Sequence, residues 1–292
     1  MPGRVTLVRC GAQSVSSTLG PVNHQDAGTT NDLRARHRRG RARIRRGIPY
    51  PDPSGTLSLL PNAIMGEWLA DVKDAFVGDL LDAGAGNQPY RIWYEPLVKS
   101  VIAVDATEAP GLHVLALVDQ LPFADSSFDT VLSTEVWEHV EDPNQAAREA
   151  FRVLRPGGHL VITVPFLYPT HEPPYDFGRF THYGLHSVLR RAGFEVLRLD
   201  SKGGPVVWAS HLAMVAFVQA LDAVGRMVRL PHPPSSWRPL RWMIAAPQLA
   251  VISMRYRLRG VRRGVGGGGG KISLGYVAVA QKPGTPAHDA TG

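Results

Sequence analysis

Between residues 79 and 200 short apolar runs alternate with stretches of helical spacing, and this alternation limits the possible folds more than any other feature of the chain. DLLDA (79–83), VIAVD (101–105), HVLALVD (113–119), FDTVLST (128–134), GGHLVITVP (157–165) and FEVLRLD (194–200) read as strands, and ISLGYVAVAQK (272–282) as a last one. PNAIMGEWLADVKDAF (61–76) reads as an amphipathic helix after Pro61. In DPNQAAREAFRVL (142–154) Asp142 suits the N-cap, Pro143 the first helical position and Gln145 the reciprocal half of a capping box. Ala147, Ala150, Phe151 and Leu154 form its apolar stripe. Leu185, Val188, Leu189 and Ala192 repeat that spacing, and Gly193 ends the helix. Strands alternating with helices predict parallel β-α-β units, a central sheet and helices on both faces. Ligands in such sheets bind beyond the carboxyl ends of the strands, so the loops after the first five strands are the candidate functional segments.

The overall charge of +7 hides an uneven distribution. Residues 1–48 hold ten Arg and two acids, residues 49–202 eleven basic and twenty-one acidic residues, and residues 203–271 ten basic residues and one acid, Asp222. An acidic body therefore carries two basic appendages. The Arg-rich stretch reads as a disordered tail, with too little apolar surface to offset its ordering entropy. A nucleic-acid-binding arm is the alternative, but no aromatic is interleaved to stack on a base. Cys10 is the single cysteine, so no disulfide framework exists within the chain and a reducing, cytoplasmic setting is expected. No His/Cys group has zinc-finger spacing, and no metal site is expected.

Gly84 and Gly86 follow the first strand directly. Without Cβ they allow unusual dihedrals and the close approach of a ligand. A dinucleotide fingerprint would need a third glycine at position 89, where the chain has Pro89. A different cofactor chemistry needs an acid ahead of the glycines, and Asp82 supplies it. Asp105 ends the second strand, where a carboxylate can accept both hydroxyls of a ribose. Asp119 ends the third, followed by Gln120 and Leu121, where an acid can accept from an adenine amino group and Leu121 can line the ring.

Together D-x-G-x-G (82–86), Asp105, DQLPFADSSFDTVLSTEVWEHVEDP (119–143) and RVLRPGGHLVITVP (152–165) closely resemble class I S-adenosylmethionine-dependent methyltransferases of the small-molecule (type 11-like) branch. The resemblance covers about residues 60–200 and the last strand. It implies a Rossmann-like, seven-stranded, mostly parallel sheet with an antiparallel last strand, and S-adenosylmethionine as cofactor. It also implies Asp82, Gly84 and Gly86 at the methionine end, Asp105 at the ribose, and Asp119 with Gln120 and Leu121 at the adenine. The chain departs from many members at Gln88, where they carry a third glycine. Gly157 and Gly158 read as the turn before the fifth strand, and Trp137 and Phe123 as packing residues.

Methyl transfer from a sulfonium needs alignment more than activation, because the leaving group is a neutral thioether. A hydroxyl acceptor gains from a base. The segment PTHEPPYDFGRFTHYG (169–184) follows the fifth strand and is dense in polar and aromatic groups, as an acceptor loop would be. His171 is the first candidate base and Asp176 the second, with His139 a third from STEVWEH. Tyr175, Arg179 and His182 are candidate acceptor-binding residues, Arg179 for an anionic group. The opposing reading is a self-satisfied loop in which Asp176 pairs with Arg179 and Thr181 caps the next helix. This loop resembles those of bacterial methyltransferases of surface-glycan assembly.

The organisation expected is a disordered tail over 1–48, a methyltransferase core over 49–202, an apolar and basic helical insertion over 203–271, and the last strand and C-terminal tail over 272–292. GGPVVWASHLAMVAFVQAL (203–221) has no charged residue, MIAAPQLAVISM (243–254) is apolar but broken by Pro247, and an Arg cluster follows at 255–263. That combination suits a segment lying on the anionic inner leaflet of a membrane; a lid and a homodimer interface are the alternatives. The function expected is O-methylation of a small-molecule, sugar-like or lipid-linked acceptor. Its rivals are a partner protein that binds the cofactor without catalysis and a nucleic-acid methyltransferase. The latter would carry an Asn/Asp-Pro-Pro-aromatic motif where this chain has STEVWEH.

Overall fold

The computed structural model describes residues 59–232, 234–237 and 272–284, with isolated positions between 240 and 254. The Arg-rich segment 1–48, the Arg cluster 255–263 and most of 243–254 lie outside the described residues. In chain order come α1 (Leu59–Asp71), β1 (Asp79–Ala83), α2 (Arg91–Tyr94), β2 (Ser100–Asp105), β3 (Val114–Leu115), β4 (Phe128–Thr134) and α3 (Pro143–Val153). They are followed by β5 (Leu154–Pro165), α4 (His182–Arg191), β6 (Glu195–Ser201), α5 (Pro205–Met227) and β7 (Gly275–Gln281). The seven strands form one sheet in the order β3-β2-β1-β4-β5-β7-β6. β1 pairs in parallel with β2 and β4, and β4 with β5, whereas β7 runs antiparallel between β5 and β6. This is the Rossmann-like arrangement with a reversed last strand. The order reverses at β1, so the crevice at its carboxyl end lies between the loops after β1 and β4.

The sheet is covered on both faces. Leu81, Val131, Leu160 and Ile162 meet α3 and α4 through Ala147, Ala150, Leu185 and Leu189. Leu80, Leu132, Val161 and Val277 meet α1 through Met65, Trp68 and Leu69. Residues that face opposite sides along a central strand are thus apolar on both, as a doubly covered parallel sheet requires.

Several local readings need correction. The third strand is two residues long, not seven, because Leu117, Val118 and Asp119 leave the sheet to wall a cavity. Gly157 and Gly158 do not precede the fifth strand but lie inside it, since β5 begins at Leu154. The register with β4 shifts there, between Phe128 and Thr130, and Gly157 takes φ +81°. α3 is N-capped by Asp142, which accepts from the Asn144 N–H at 3.0 Å, but the capping box is not closed by a side chain. Gln145 instead accepts from Arg148 Nε at 2.9 Å. The helix ends at Val153, so Leu154 belongs to β5 and the fully buried stripe is Ala146, Ala147, Ala150 and Val153. α1 stops at Asp71, with a tight turn over Lys73–Ala75.

α5 is a single helix of 23 residues. Val207 packs with Ile64 and Leu274, and the buried His211 ring stacks on Tyr168 at 5.2 Å. Asp222 accepts from the Ser235 N–H and hydroxyl at 3.0 and 2.7 Å, tying the following turn to the helix. The first turns of the helix thus rest on the sheet domain, and Met214, Val215 and Val218 further along the same face pack with Leu240. The other face of the helix exposes Val206, Phe217, Val224 and Met227.

Candidate active site

A cavity of about 510 Å³ opens at the carboxyl ends of β1, β2 and β4. Its floor is the glycine loop after β1. Gly84 takes φ +83°, and a Cβ there would come within 2.3 Å of Val136 Cγ2, so only glycine lets the two loops close on one another. The N–H groups of Gly84 and Ala85 both donate to Val104 O, at 2.8 and 3.0 Å. Gly86 lies at φ +51° with open space where a Cβ would be, facing the cavity it helps to line. Gln88, the departure noted in the sequence, adopts φ +52°, the left-handed backbone that glycine takes most readily. Its amide is tied down, receiving Arg91 Nη1 at 2.8 Å and donating to Pro110 O at 3.4 Å.

Asp105 joins this loop to β2. Its Oδ2 accepts the Gly86 N–H at 2.9 Å, and its Oδ1 accepts the Thr107 N–H and hydroxyl at 2.8 and 2.7 Å. Oδ1 has both lone pairs engaged, whereas Oδ2, with one donor, retains a lone pair at the cavity wall that the residue helps to form. Asp119 and Gln120 line the next stretch beside Leu117 and Val118. Burial raises the Asp119 carboxyl above its ordinary value. Leu121 does not reach the cavity; its side chain is in the core and its N–H donates to Glu149 Oε2 at 2.8 Å. Arg152, from the RVLRPGG stretch, fastens this loop by donating to Leu121 O and Phe123 O at 3.0 and 2.7 Å.

Asp82 is buried behind the glycine loop and accepts the Tyr94 hydroxyl at 2.5 Å. It does not line the cavity, so its effect on a ligand passes through the loop. Burial first, and then the neighbouring Asp105 charge, push its carboxyl up to about 6.

The opposite wall comes from the loop after β4 and the segment after β5: Glu135, Val136, His139, Glu172, Tyr175 and Phe177. Of the candidate bases only His139 is on this wall. His171 lies behind it, with ring centroids 4.9 Å apart, and burial and the His139 charge keep its imidazole below the ordinary value. Asp176 is turned away; its carboxylate is almost fully buried, accepting the His171 N–H at 2.7 Å and pairing with Arg179. Arg179 also donates to Pro169 O and Tyr168 O, so its guanidinium is committed to the loop. His182 begins α4 and packs on Tyr183 and Tyr276, away from the cavity, and Thr181 caps that helix through the Gly184 N–H. The loop is thus largely self-satisfied, and of its proposed contact residues Tyr175 alone reaches the cavity. Two backbone bonds dock it: Phe177 and Gly178 donate to Glu138 O at 2.8 and 3.2 Å.

Sequence reasoning missed Glu135, Glu138 and Lys202. Glu135, at φ +54°, receives the Thr163 hydroxyl at 2.8 Å and pairs with the nearly buried Lys202 at 3.0 Å. Glu138 is fully buried, and neither side-chain oxygen accepts a hydrogen bond. Acidic residues are seldom fully buried, so nothing in STEVWEH marks Glu138 as an interior group.

Comparison with known proteins agrees with this geometry. Residues 81–162 match the family model described as methyltransferase domain. The chain is 34% identical over 134 residues to a protein of Mycolicibacterium smegmatis named "Probable S-adenosylmethionine-dependent methyltransferase", a match covering 40% of this chain and 52% of that one. It is 35% identical over 122 residues to an uncharacterized methyltransferase of Mycobacterium tuberculosis, covering 37% and 48%. The chain thus spans about half the length of these curated relatives. Among solved structures, the [4+2]-cyclase SpnF aligns with a TM-score of 0.48 at 21% identity, over 76% of this chain and 81% of that one. A Burkholderia thailandensis 1,6-didemethyltoxoflavin-N1-methyltransferase, solved with its substrate and S-adenosylhomocysteine, aligns at 0.45 and 16%, over 92% and 93%. The domain built on residues 81–162 belongs to the class I S-adenosylmethionine-dependent methyltransferases, whose cofactor is S-adenosylmethionine.

The cavity fits that cofactor. Its volume lies in the range of small-molecule sites, the open space at Gly86 admits a ligand against the backbone, and two carboxylates are spaced along one wall.

Asp82 gives the apoprotein a pH signature. An acid whose folded pKa rises from 3.8 to about 6 takes up a proton on folding in that window. Its contribution is therefore most favourable below about pH 4 and is lost as pH rises through about 6. Urea unfolding should show Asp82→Asn gaining about 2 kcal/mol relative to wild type between about pH 4.5 and pH 7.5. Parallel pH profiles for the two proteins would contradict the burial argument.

Proposed function

We propose that the protein transfers the methyl group of S-adenosylmethionine to an oxygen of a small-molecule acceptor, sugar-like or lipid-linked. The observation that carries the reading is the division of one cavity into two walls, with Asp105 and Asp119 on one side and His139 and Tyr175 on the other. In this reading Gly84 and Gly86 shape the methionine end, with Asp82 acting from behind the loop. Asp105 accepts from the ribose hydroxyls and Asp119 from the adenine, with Gln120 beside it. The bound cofactor supplies a methyl on a sulfonium, whose departure as a neutral thioether needs no acid.

The chain's own part is alignment and proton removal. The His139 Nδ1 is 2.6 Å from Tyr175 O, which fixes its proton on Nδ1 and leaves the lone pair on Nε2. An acceptor hydroxyl loses its proton to this imidazole as the oxygen–methyl bond forms and the methyl–sulfur bond breaks, the bonding electrons remaining on sulfur. Tyr175 borders the acceptor. His171, Asp176, Arg179 and His182 serve by holding the loop.

With labelled S-adenosylmethionine and a panel of hydroxylated glycans and lipid-linked sugars, one acceptor class should become labelled. With that acceptor His139→Ala should lower turnover about 10²-fold or more while cofactor affinity stays near wild type. Full turnover in that variant would remove His139 from the chemistry. A cofactor-binding partner protein without catalysis would bind S-adenosylmethionine yet label no acceptor.

We further propose peripheral association with an anionic membrane surface on the cytoplasmic side. The support is α5. It is long and apolar enough to cross a membrane by length and composition, with 33% of its most apolar window buried. The exposed Phe217, Val224 and Met227 lie beside the basic Arg226 and Arg229. A helix docked along one face and apolar on the other suits the headgroup region better than a span. Full-length protein should float with anionic liposomes and lose part of that binding in salt. A variant with 205–263 replaced by a short loop should remain at the bottom of the gradient. Equal flotation of both would favour a lid or a homodimer interface.

A further inference from the structure

Glu138, His139 and His171 form a cluster that neither the cofactor nor the self-satisfied acceptor loop accounts for. Their candidate ligand atoms all lie within 4.8 Å of one another. The Glu138 Oε1 is 3.7 Å from His139 Nε2 and 3.8 Å from His171 Nε2, too far for hydrogen bonds. Both of its oxygens are buried and accept no hydrogen bond, an arrangement that is costly for a carboxylate. The nearby cations are engaged elsewhere, Lys202 with Glu135 and Arg179 with Asp176.

The two imidazoles present lone pairs to the same spot. His139 is fixed with its proton on Nδ1 by Tyr175 O. The Nδ1 of His171 faces two acceptors, Pro169 O at 3.3 Å and Asp176 Oδ2 at 3.5 Å. Arg179 Nη2 is also 3.4 Å away, but its two protons are directed to Pro169 O at 3.0 Å and Asp176 Oδ2 at 2.8 Å. The His171 proton therefore belongs on Nδ1 and its lone pair on Nε2. Two imidazoles oriented through Nδ1 by outer acceptors, with Nε2 converging on a carboxylate, are the donor set and outer shell of a divalent metal site.

We propose that Glu138, His139 and His171 bind one divalent transition-metal ion, with Zn²⁺ the best match to two imidazoles and one carboxylate. Ligand atoms on a common Zn²⁺ sit roughly 3–3.5 Å apart, so Glu138 needs to approach each imidazole by only about a few tenths of an ångström, and the two imidazoles, within 4.8 Å of one another, close on the ion by side-chain rotation. The loop that carries His171 is docked independently by the Phe177 and Gly178 bonds to Glu138 O, so the site is formed before an ion arrives. Three protein ligands leave a coordination position open, as in catalytic rather than structural zinc sites. Because His139 is also on the cavity wall, that position is within reach of an acceptor oxygen. This last consequence rests on the methyl-transfer reading: a loaded ion would lower the pKa of a coordinated acceptor hydroxyl so that its proton passes to solvent water before the oxygen attacks the methyl, in place of its removal by His139.

The test is ion binding, read without cofactor or acceptor, so its failure would leave the methyl-transfer reading standing. Chelator-treated full-length protein is titrated with Zn²⁺ by calorimetry, and with Co²⁺ while its visible ligand-field band is followed. Wild type should take up one ion per chain, with an intense Co²⁺ band and a raised melting temperature. Glu138→Gln and His171→Ala should each weaken binding about tenfold or more and lose the band. Should Glu138→Gln fail to fold by circular dichroism, His171→Ala, which changes a docked loop and not the core, carries the comparison. Absence of stoichiometric binding to wild type, or equal binding by wild type and His171→Ala, would overturn the proposal.

Discussion

The Asp105 carboxylate is the group on which the geometry of the cavity depends. It sits at the last residue of β2, where parallel pairing with β1 places it beside the glycine loop. There it gathers three donors, from Gly86 and Thr107. Hydrogen bonds to a charged acceptor are each worth about 1.5–3 kcal/mol net, enough to hold a backbone segment whose positive φ values at Gly84, Gly86 and Gln88 would otherwise be adopted only part of the time. The floor of the cavity is thus held in place by the residue proposed to meet the ribose. Behind it, the pairing of Asp82 with Tyr94 forms a second layer, in which a buried carboxyl with a raised pKa supports the loop without touching a ligand.

The acceptor side is built on a different principle. Glu138 gives its backbone carbonyl to the loop after β5 and turns its unpartnered side chain to the two imidazoles that this docking brings together. The Asp176–Arg179 pair stiffens the loop and satisfies the carbonyls of Tyr168 and Pro169. Residues that look like substrate contacts when read as a string are consumed in making the loop rigid. The groups that remain available are fewer and are buried around Glu138.

The sheet was legible in the sequence because its signals are local: apolar runs of strand length separated by helical spacing, and a glycine pair after the first strand. The reach of the third strand was misread because HVLALVD is equally apolar whether it pairs in a sheet or lines a cavity, and composition cannot distinguish the two. Asp105 was legible because a strand end puts its side chain at the crevice; Asp119 reaches the cavity although the strand expected to carry it ends at Leu115. Leu121 was not, since one residue's change of direction in a loop sends it to the core. The acceptor side was least legible. His139 and His171 are separated by a long stretch of chain, and what joins them is a buried Glu138 that a sequence reads as surface. The pairing of Asp176 with Arg179 was foreseen as one of two readings, but its spacing alone did not decide between loop and ligand.

The most direct test of the account is calorimetric titration of S-adenosylmethionine into wild type and Asp105→Ala. The account predicts saturable binding to wild type and an affinity lower by about tenfold or more in the variant, from the loss of a charged acceptor shared between loop and ribose. Unchanged affinity in Asp105→Ala, or a preference of the wild-type protein for NAD over S-adenosylmethionine, would contradict it.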